Sequence, residues 1–366
     1  MLTCAQATET VSVLKQKHRE LVLALDVALK DPAQFSKIEE LSRELRNSIE
    51  RCAKELTEVE FIPNFREQYH AQIDLLRESG LLQKLSNGRE GIRGVDDQEY
   101  PIPNFEELTD DIEAYREIYE EKAQQGFTKL LLVPFALPLS KITNAYGKAL
   151  KKKADAGQLY TYLIENSKRT RVPVTNLDSR QPVENNYVKD QSLVYYPTYF
   201  LSDSHEGLTK NELLSQNKKN GWRAVFLEEN DTIPQKGQGK IFGGRKQLEE
   251  GWGWGPQDYL HFKNERNQID DAFVAQSREK YAHEEGLTPE VLFTLALDHL
   301  AQKSEPLDGG VGKPGCYLTG CFLLKELYVL RATFHVGLGT YLLDANIPDL
   351  HDGKYGTRFA VHIKPR

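Results

Sequence analysis

Near the C-terminus, residues 331–342 read RATFHVGLGTYL. The stretch mixes polar, aromatic and glycine residues without the regular apolar alternation of a packed strand. This mixture suits an irregular β-segment that bends at glycines and carries exposed side chains. Similar short segments, separated by Gly, Asp, Asn and Pro, fill about the last 50 residues, where no long helix is indicated. The C-terminal part is therefore predicted to be a sheet.

The N-terminal part has a different texture. Apolar residues recur at intervals of three and four over residues 8–85, which predicts a helical hairpin or a small bundle. Acidic and lysine-rich helices are predicted at about 105–124 and 139–155, with a buried strand candidate between them. A partner-binding coiled coil is the alternative for the first 85 residues.

From about residue 159, glycine-punctuated short strands replace the helical periods. One clear helix opens at Thr288-Pro289-Glu290, where a capping residue precedes a first-turn proline. We therefore predict an α+β chain, with a mainly helical region at 1–158 and a second domain at 159–366.

Composition excludes several classes of protein. The 366 residues carry 47 Lys and Arg against 54 Asp and Glu, a net charge of −7, which argues against nucleic acid as the main partner. No run of 18 apolar residues predicts a membrane span, and no signal peptide is visible at the start. Four cysteines do not make a disulfide framework, so we expect a cytoplasmic protein.

Three groups of residues in the sequence are candidates for a phosphate or metal site. The glycine-dense stretch 237–246 does not match the spacing of a phosphate-binding loop. Cys316 and Cys321 lack the spacing and the second pair of a zinc site, and only a turn or bulge at Thr319-Gly320 could bring them together. Three histidines near aspartates in the last 32 residues could form a metal triad only if they converged. We predict no metal, no cofactor and no catalytic residue.

Several segments carry a resemblance to a known family. The most specific pieces are Gly-Gly-Arg-Lys-Gln-Leu at 243–248 and Gly-x-Arg-x-Ala-Val at 356–361. With Tyr100–Pro103, Gly126–Phe135 and Leu193–Pro197, they resemble the variable target proteins of diversity-generating retroelements, in the form found in small-genome candidate-phylum bacteria. The resemblance covers roughly the part of the chain that begins near residue 99.

The resemblance implies a C-type lectin fold in its formylglycine-generating-enzyme-like branch. In such proteins, adenine-directed mutagenesis diversifies residues on one face, which binds a ligand that differs between variants. Residues 328–359 would be the diversified segment of this chain. The implied scaffold residues are Gly320, Ala332, Pro348, Gly356, Arg358, Ala360 and Val361.

Carried over by position, fourteen residues would form the ligand face. They are Tyr328, Arg331, Thr333, His335, Gly337, Leu338, Thr340, Leu342, Asp344, Asn346, Leu350, Asp352, Lys354 and Tyr355. Their Tyr, Arg, His, Asn and Asp content around glycines is typical of a paratope. We predict that most are exposed on one face, that Arg358 is scaffold, and that the ligand is a variable protein or another macromolecule.

Two alternatives remain at this point. Formylglycine-generating enzymes use a Cys-x₄-Cys copper pair, and Cys316 and Cys321 have that spacing, so a copper oxidase is one alternative. A helical adaptor, in which residues 1–85 bind a partner, is the other. The N-terminal helices are also a candidate element for assembly into an oligomer.

Overall fold

The structure is a computed structural model. It describes residues 61–165, 168–178, 180–185, 193–202, 205–217, 221–228, 283–308, 315–349 and 355–365, together with 38–46 and a few single positions. The architecture is mixed α+β, and one sheet is a curled half-barrel. The chain divides into two compact units, 1–66 and 67–366. In the first unit, residues 38–46 are helical. In the second unit, helices pack with several sheets.

Helices and strands are interspersed along the described part of the chain. The helices are α1 (Phe65–Glu78), α2 (Phe105–Glu113), α3 (Arg116–Gln124), α4 (Leu139–Asp155), α5 (Lys210–Gln216) and α6 (Pro289–Lys303). The strands are β1 (Gln83–Lys84), β2 (Glu90–Arg93), β3 (Glu99–Pro101), β4 (Phe127–Val133), β5 (Tyr160–Glu165), β6 (Lys168–Pro173), β7 (Val183–Asn185), β8 (Leu193–Tyr195), β9 (Leu208–Thr209), β10 (Arg223–Glu228), β11 (Glu284–Gly286), β12 (Gly315–Leu323), β13 (Tyr328–His335), β14 (Thr340–Asn346), β15 (Tyr355–Thr357) and β16 (Phe359–His362).

A seven-stranded sheet holds most of the C-terminal strands. Its order is β7-β14-β13-β12-β8-β9, and β15 pairs in parallel with β12. The central hairpin of β13 and β14 is antiparallel and regular from the pair Val329–Asn346 to the pair His335–Thr340. This sheet confirms the α+β class predicted from the change in sequence texture.

A four-stranded sheet, in the order β11-β16-β10-β4, joins distant parts of the chain. Its strand β4 pairs with β10 from Val133–Arg223 to Phe127–Glu228. The predicted helical region at 1–158 and the predicted domain at 159–366 thus contribute strands to one sheet. Periodicity could not reveal this, because strand pairing across 90 residues leaves no local signal.

Helix α6 contacts strands of both sheets, and its start follows the predicted capping signal. The Thr288 hydroxyl accepts the amide of Val291 at 3.4 Å, and Pro289 occupies the first turn. Its Phe293 packs against Tyr146 of α4 and Tyr341 of β14, with ring centroids 5.7 and 5.6 Å away. These three aromatic rings fill the core beneath the seven-stranded sheet.

The two sheets approach each other at a pair of glycines. A Cβ on Gly320 of β12 would lie 2.1 Å from the carbonyl oxygen of Gly286 on β11. Beside this contact, β12 takes five steps from Tyr317 to Phe322 while β13 takes two from Arg331 to Val329. β12 therefore has a bulge of three extra residues that includes Thr319-Gly320, the position at which the sequence analysis allowed for a turn or a bulge.

Other predicted elements differ from the structure in their type or extent. The helix expected at 139–155 is α4, whereas the acidic helix expected at 105–124 is two helices that meet at Tyr115. The Gly- and Asp-rich stretch expected to be a loop after residue 85 forms strand β2 in a three-stranded sheet. The glycine-dense stretch 237–246 lies outside the described residues. In the described part of the chain, every helix is too short or too polar to cross a membrane.

Candidate functional site

The β13–β14 hairpin assigns the predicted ligand-face residues to two sides. Directly opposite residues of an antiparallel pair project to the same side of the sheet. Six of the predicted residues share the outer side in this way. They form the register pairs Arg331–Asp344, Thr333–Leu342 and His335–Thr340.

The alternate residues of the same hairpin face the core. They are Leu330, Ala332, Phe334, Tyr341 and Leu343, each at most 3% exposed. Tyr341 illustrates their surroundings, because its ring meets that of Tyr146 edge-on at 5.2 Å. The irregular composition of the segment thus arises from two superimposed patterns, an apolar one facing inward and a polar one facing outward.

Exposure along the outer side increases toward the hairpin turn. His335 and Gly337 are exposed, and Leu338 is the most exposed, at 55%. Arg331, Thr333 and the opposing residues of β14 are half-buried. Thr340 differs from the prediction: it is 4% exposed, because its hydroxyl donates to the carbonyl of Gln181 at 2.7 Å.

Four side chains contact one another in sequence at the middle of the outer side. Arg331 donates to Asp344 Oδ2 from Nε at 3.2 Å and from Nη2 at 2.8 Å. Its guanidinium lies 4.7 Å from the centre of the Tyr355 ring, which packs against buried Tyr317 at 5.2 Å. Because Tyr317 is fixed in the core, it holds the predicted binding residues Arg331, Asp344 and Tyr355 as one unit.

The far end of the outer side is covered. Val329 is fully buried in a cluster with Val194, Phe200 and Phe322. Asn346, opposite Val329, is half-buried and accepts the amide of Ile347. The open part of the outer side therefore begins at Arg331 and ends at the turn.

Four predicted residues fall outside this arrangement. Tyr328 begins β13 one residue before Val329, so it lies on the opposite side from Arg331. Leu350, Asp352 and Lys354 lie outside the described residues. The implied scaffold residue Arg358 is buried in a pair with Asp308, at 2.9 Å from Nε and 2.5 Å from Nη2.

A segment that the sequence did not single out holds the turn in place. The Asn176 side-chain amide donates to the carbonyl of Val336 at 2.8 Å, and the Asp178 amide donates to that of Gly339 at 2.8 Å. Strand β7 then pairs in parallel with β14. Asn and Asp at 176 and 178 signal only a turn in the sequence, so their partner 160 residues away could not be predicted.

The two cysteines of β12 are fully buried, each near a carboxylate that is paired with a basic side chain. Burial and nearby Asp308 together raise the pKa of the Cys316 thiol to about 12, although Arg358 acts in the opposite direction. Burial, reinforced by Glu290, also raises the pKa of the Cys321 thiol. The bulge shortens their separation along the sheet, but these surroundings favour neutral thiols over thiolates. Binding of a soft metal ion by this pair would require both sulfurs to lose their protons.

The histidines near the C-terminus do not gather. His335 lies at the turn end of β13 in the seven-stranded sheet, whereas His362 lies in β16 of the four-stranded sheet. His351 lies outside the described residues. Within the described ranges, no three His, Cys, Asp or Glu side chains are grouped as a metal site would require.

Comparison with known proteins gives no match to a family model, to a curated protein or to a solved structure.

Proposed function

We propose that this chain is a ligand-binding protein, and that its ligand face is the outer side of the β13–β14 hairpin from Arg331 to the turn. We further propose that retroelement-driven, adenine-directed mutagenesis diversifies this face. The observation that carries the proposal is the alternation of partly exposed outward residues with buried inward residues from Arg331 to His335 and from Tyr341 to Asp344. Alternation lets the outer residues change while the inner ones keep the fold.

The shape of the face favours a macromolecular ligand. Five residues of β13, from Arg331 to His335, at about 3.4 Å each give an open strip roughly 17 Å long before the turn. The strip is open on one side, and two clefts in the described part of the chain are lined by residues outside it. An open strip suits the flat contact area of a protein surface better than it suits the enclosure of a small molecule.

A matched pair of libraries tests the tolerance that this proposal requires. One library randomises Arg331, Thr333 and Leu342 on the outer side, and the other randomises Ala332, Phe334 and Leu343 on the inner side. We expect most outer-side variants to resist protease as the parent does, and most inner-side variants to be digested. Inner substitutions of this kind cost about 2–5 kcal/mol. Equal survival of the two libraries would contradict the proposal.

The flanking DNA tests the diversification separately. We expect a near-copy of the codons for residues 328–359, differing mainly where the copy has adenine, beside a reverse-transcriptase gene. A locus without either element would remove the retroelement from the proposal, and the library result would then bear on ligand binding alone.

A further inference from the structure

A cleft of about 560 Å³ opens between three helices, away from the hairpin. Its floor is apolar and built from buried or small residues of α4 and α6. These floor residues are Ala145, Ala149, Leu297, Leu300 and Ala301, with Leu75 of α1 at the side. The volume lies within the range of about 300–1,000 Å³ that is usual for small-molecule sites.

Three lysines of α4 and the turn that ends it line the same cleft. Lys148 and Lys152 are exposed and stand one helical turn apart, and Lys153 donates to the Ser304 hydroxyl at 3.0 Å. In the described part of the chain, Lys148 and Lys152 have no carboxylate within ion-pair distance. Lys151, between them in sequence, faces away and pairs with Asp155 at 2.7 Å.

The opposite wall carries less charge. It consists of Glu78, Ser79 and Gly80 at the end of α1. The described lining thus has three positive side chains against one negative, in a protein whose net charge is −7. The local excess of positive charge favours an anionic group at the rim, and the apolar floor favours a hydrocarbon beneath it.

We propose that this cleft binds a free, single-chain anionic amphiphile, with its carboxylate or similar head at Lys148 and Lys152 and its alkyl chain on the alanine and leucine floor. Alanine at positions 145 and 149 leaves space for the chain where larger side chains would fill the groove. Binding would release ordered water from the floor and give the two lysines the partners that the described residues do not provide.

Titration calorimetry of the full chain with decanoate, kept below its micelle concentration, tests this site. We expect saturable binding of one decanoate per chain. Acetate supplies the head alone and decanol the chain alone, and we expect both to bind much more weakly. Equal binding of decanol would show that the lysines take no part, and it would overturn the proposal.

Two kinds of variant separate the head from the floor. Replacing both Lys148 and Lys152 with Gln should weaken decanoate binding by about three- to thirtyfold, whereas Lys151→Gln, on the same helix, should leave it unchanged. Ala149→Leu keeps every charge and suits a helix, but it fills the groove, so it should abolish binding without lowering the melting temperature.

Two further results would contradict the proposal. One is the absence of saturable decanoate binding to a folded parent chain. The other is tight binding of a synthetic amphipathic helix, with Glu one turn apart and a Leu and Ala face, by a chain that ignores decanoate. That outcome would make the cleft a docking site for a protein helix instead.

Discussion

Two arginine–aspartate pairs in the C-terminal part of the chain differ in what they contribute to stability. Arg358 and Asp308 are almost fully buried, whereas Arg331 and Asp344 are partly open to water. A charge left alone in the interior keeps the full cost of its lost hydration, while water screens an exposed one.

We therefore expect Arg358→Ala to lower the free energy of unfolding by about 3–5 kcal/mol. Arg331→Ala, as the matched control, should lower it by about 1 kcal/mol or less. Urea denaturation of both variants measures the difference. A small effect of Arg358→Ala that came with loss of ligand binding would move Arg358 from the scaffold to the recognition surface.

At the scale of one element, two glycines of the β13–β14 turn also differ in how much a substitution is expected to lower stability. Gly339 has φ +62°, and a Cβ there would lie 1.8 Å from the carbonyl oxygen of Asn176. Gly337, two residues earlier, is exposed, and a Cβ there would lie 3.3 Å from Cε1 of the His335 ring, a side-chain atom rather than backbone. Gly339 therefore fixes the position of the turn against the segment 176–178, which we call the clamp. Gly337 tolerates a side chain.

We expect Gly339→Ala to destabilise the chain by about 1–3 kcal/mol, because the clamp must shift and the residue is strained. Gly337→Ala should change stability by less than about 0.5 kcal/mol. Hydrogen exchange at the amides of Leu338 and Gly339 should also speed up in the first variant alone. Similar melting curves for both variants would show that the clamp does not hold the turn.

Local elements were the part of this fold that the sequence could predict. Helix α4 was expected over its full length. The start of α6 was expected because its capping threonine and first-turn proline are adjacent in sequence. The partners of Arg358 and Asn176 could not be predicted, since they lie 50 and 160 residues away. The ligand-face residues were expected from the resemblance, but the strand register was needed to assign the hairpin residues to its outer and inner sides.

At the scale of the whole molecule, His362 ties stability to pH. Burial, together with Arg223 and Lys364, lowers the pKa of this imidazole to about 4, and Glu285 opposes them only in part. In the unfolded chain, histidine takes up its proton near pH 6.5. Between about pH 6.5 and 4 the unfolded state therefore binds more protons, and the free energy of unfolding falls as the pH falls.

We expect His362→Gln to remove this part of the pH dependence. Between pH 7 and 4.5 the parent should lose roughly 1–2 kcal/mol more than the variant, allowing for the solvent that screens a half-buried group. Paired urea titrations at several pH values measure this, and carboxylate protonation cancels in the comparison. Parallel curves would show that His362 is protonated in the folded protein as readily as in the unfolded one.

The alternation along β13 and β14 also has a consequence at the level of codons. Leu, Ala and Phe, which point inward at positions 330, 332, 334 and 343, can be encoded without adenine in the first two bases. Thr, His, Asp and Asn, at outward positions 333, 335, 344 and 346, require one there. Under the proposed mutagenesis, a gene could protect its core through codon choice alone. Tyr341 breaks this rule: it points inward, its codons contain adenine, and it would be the core position at greatest risk.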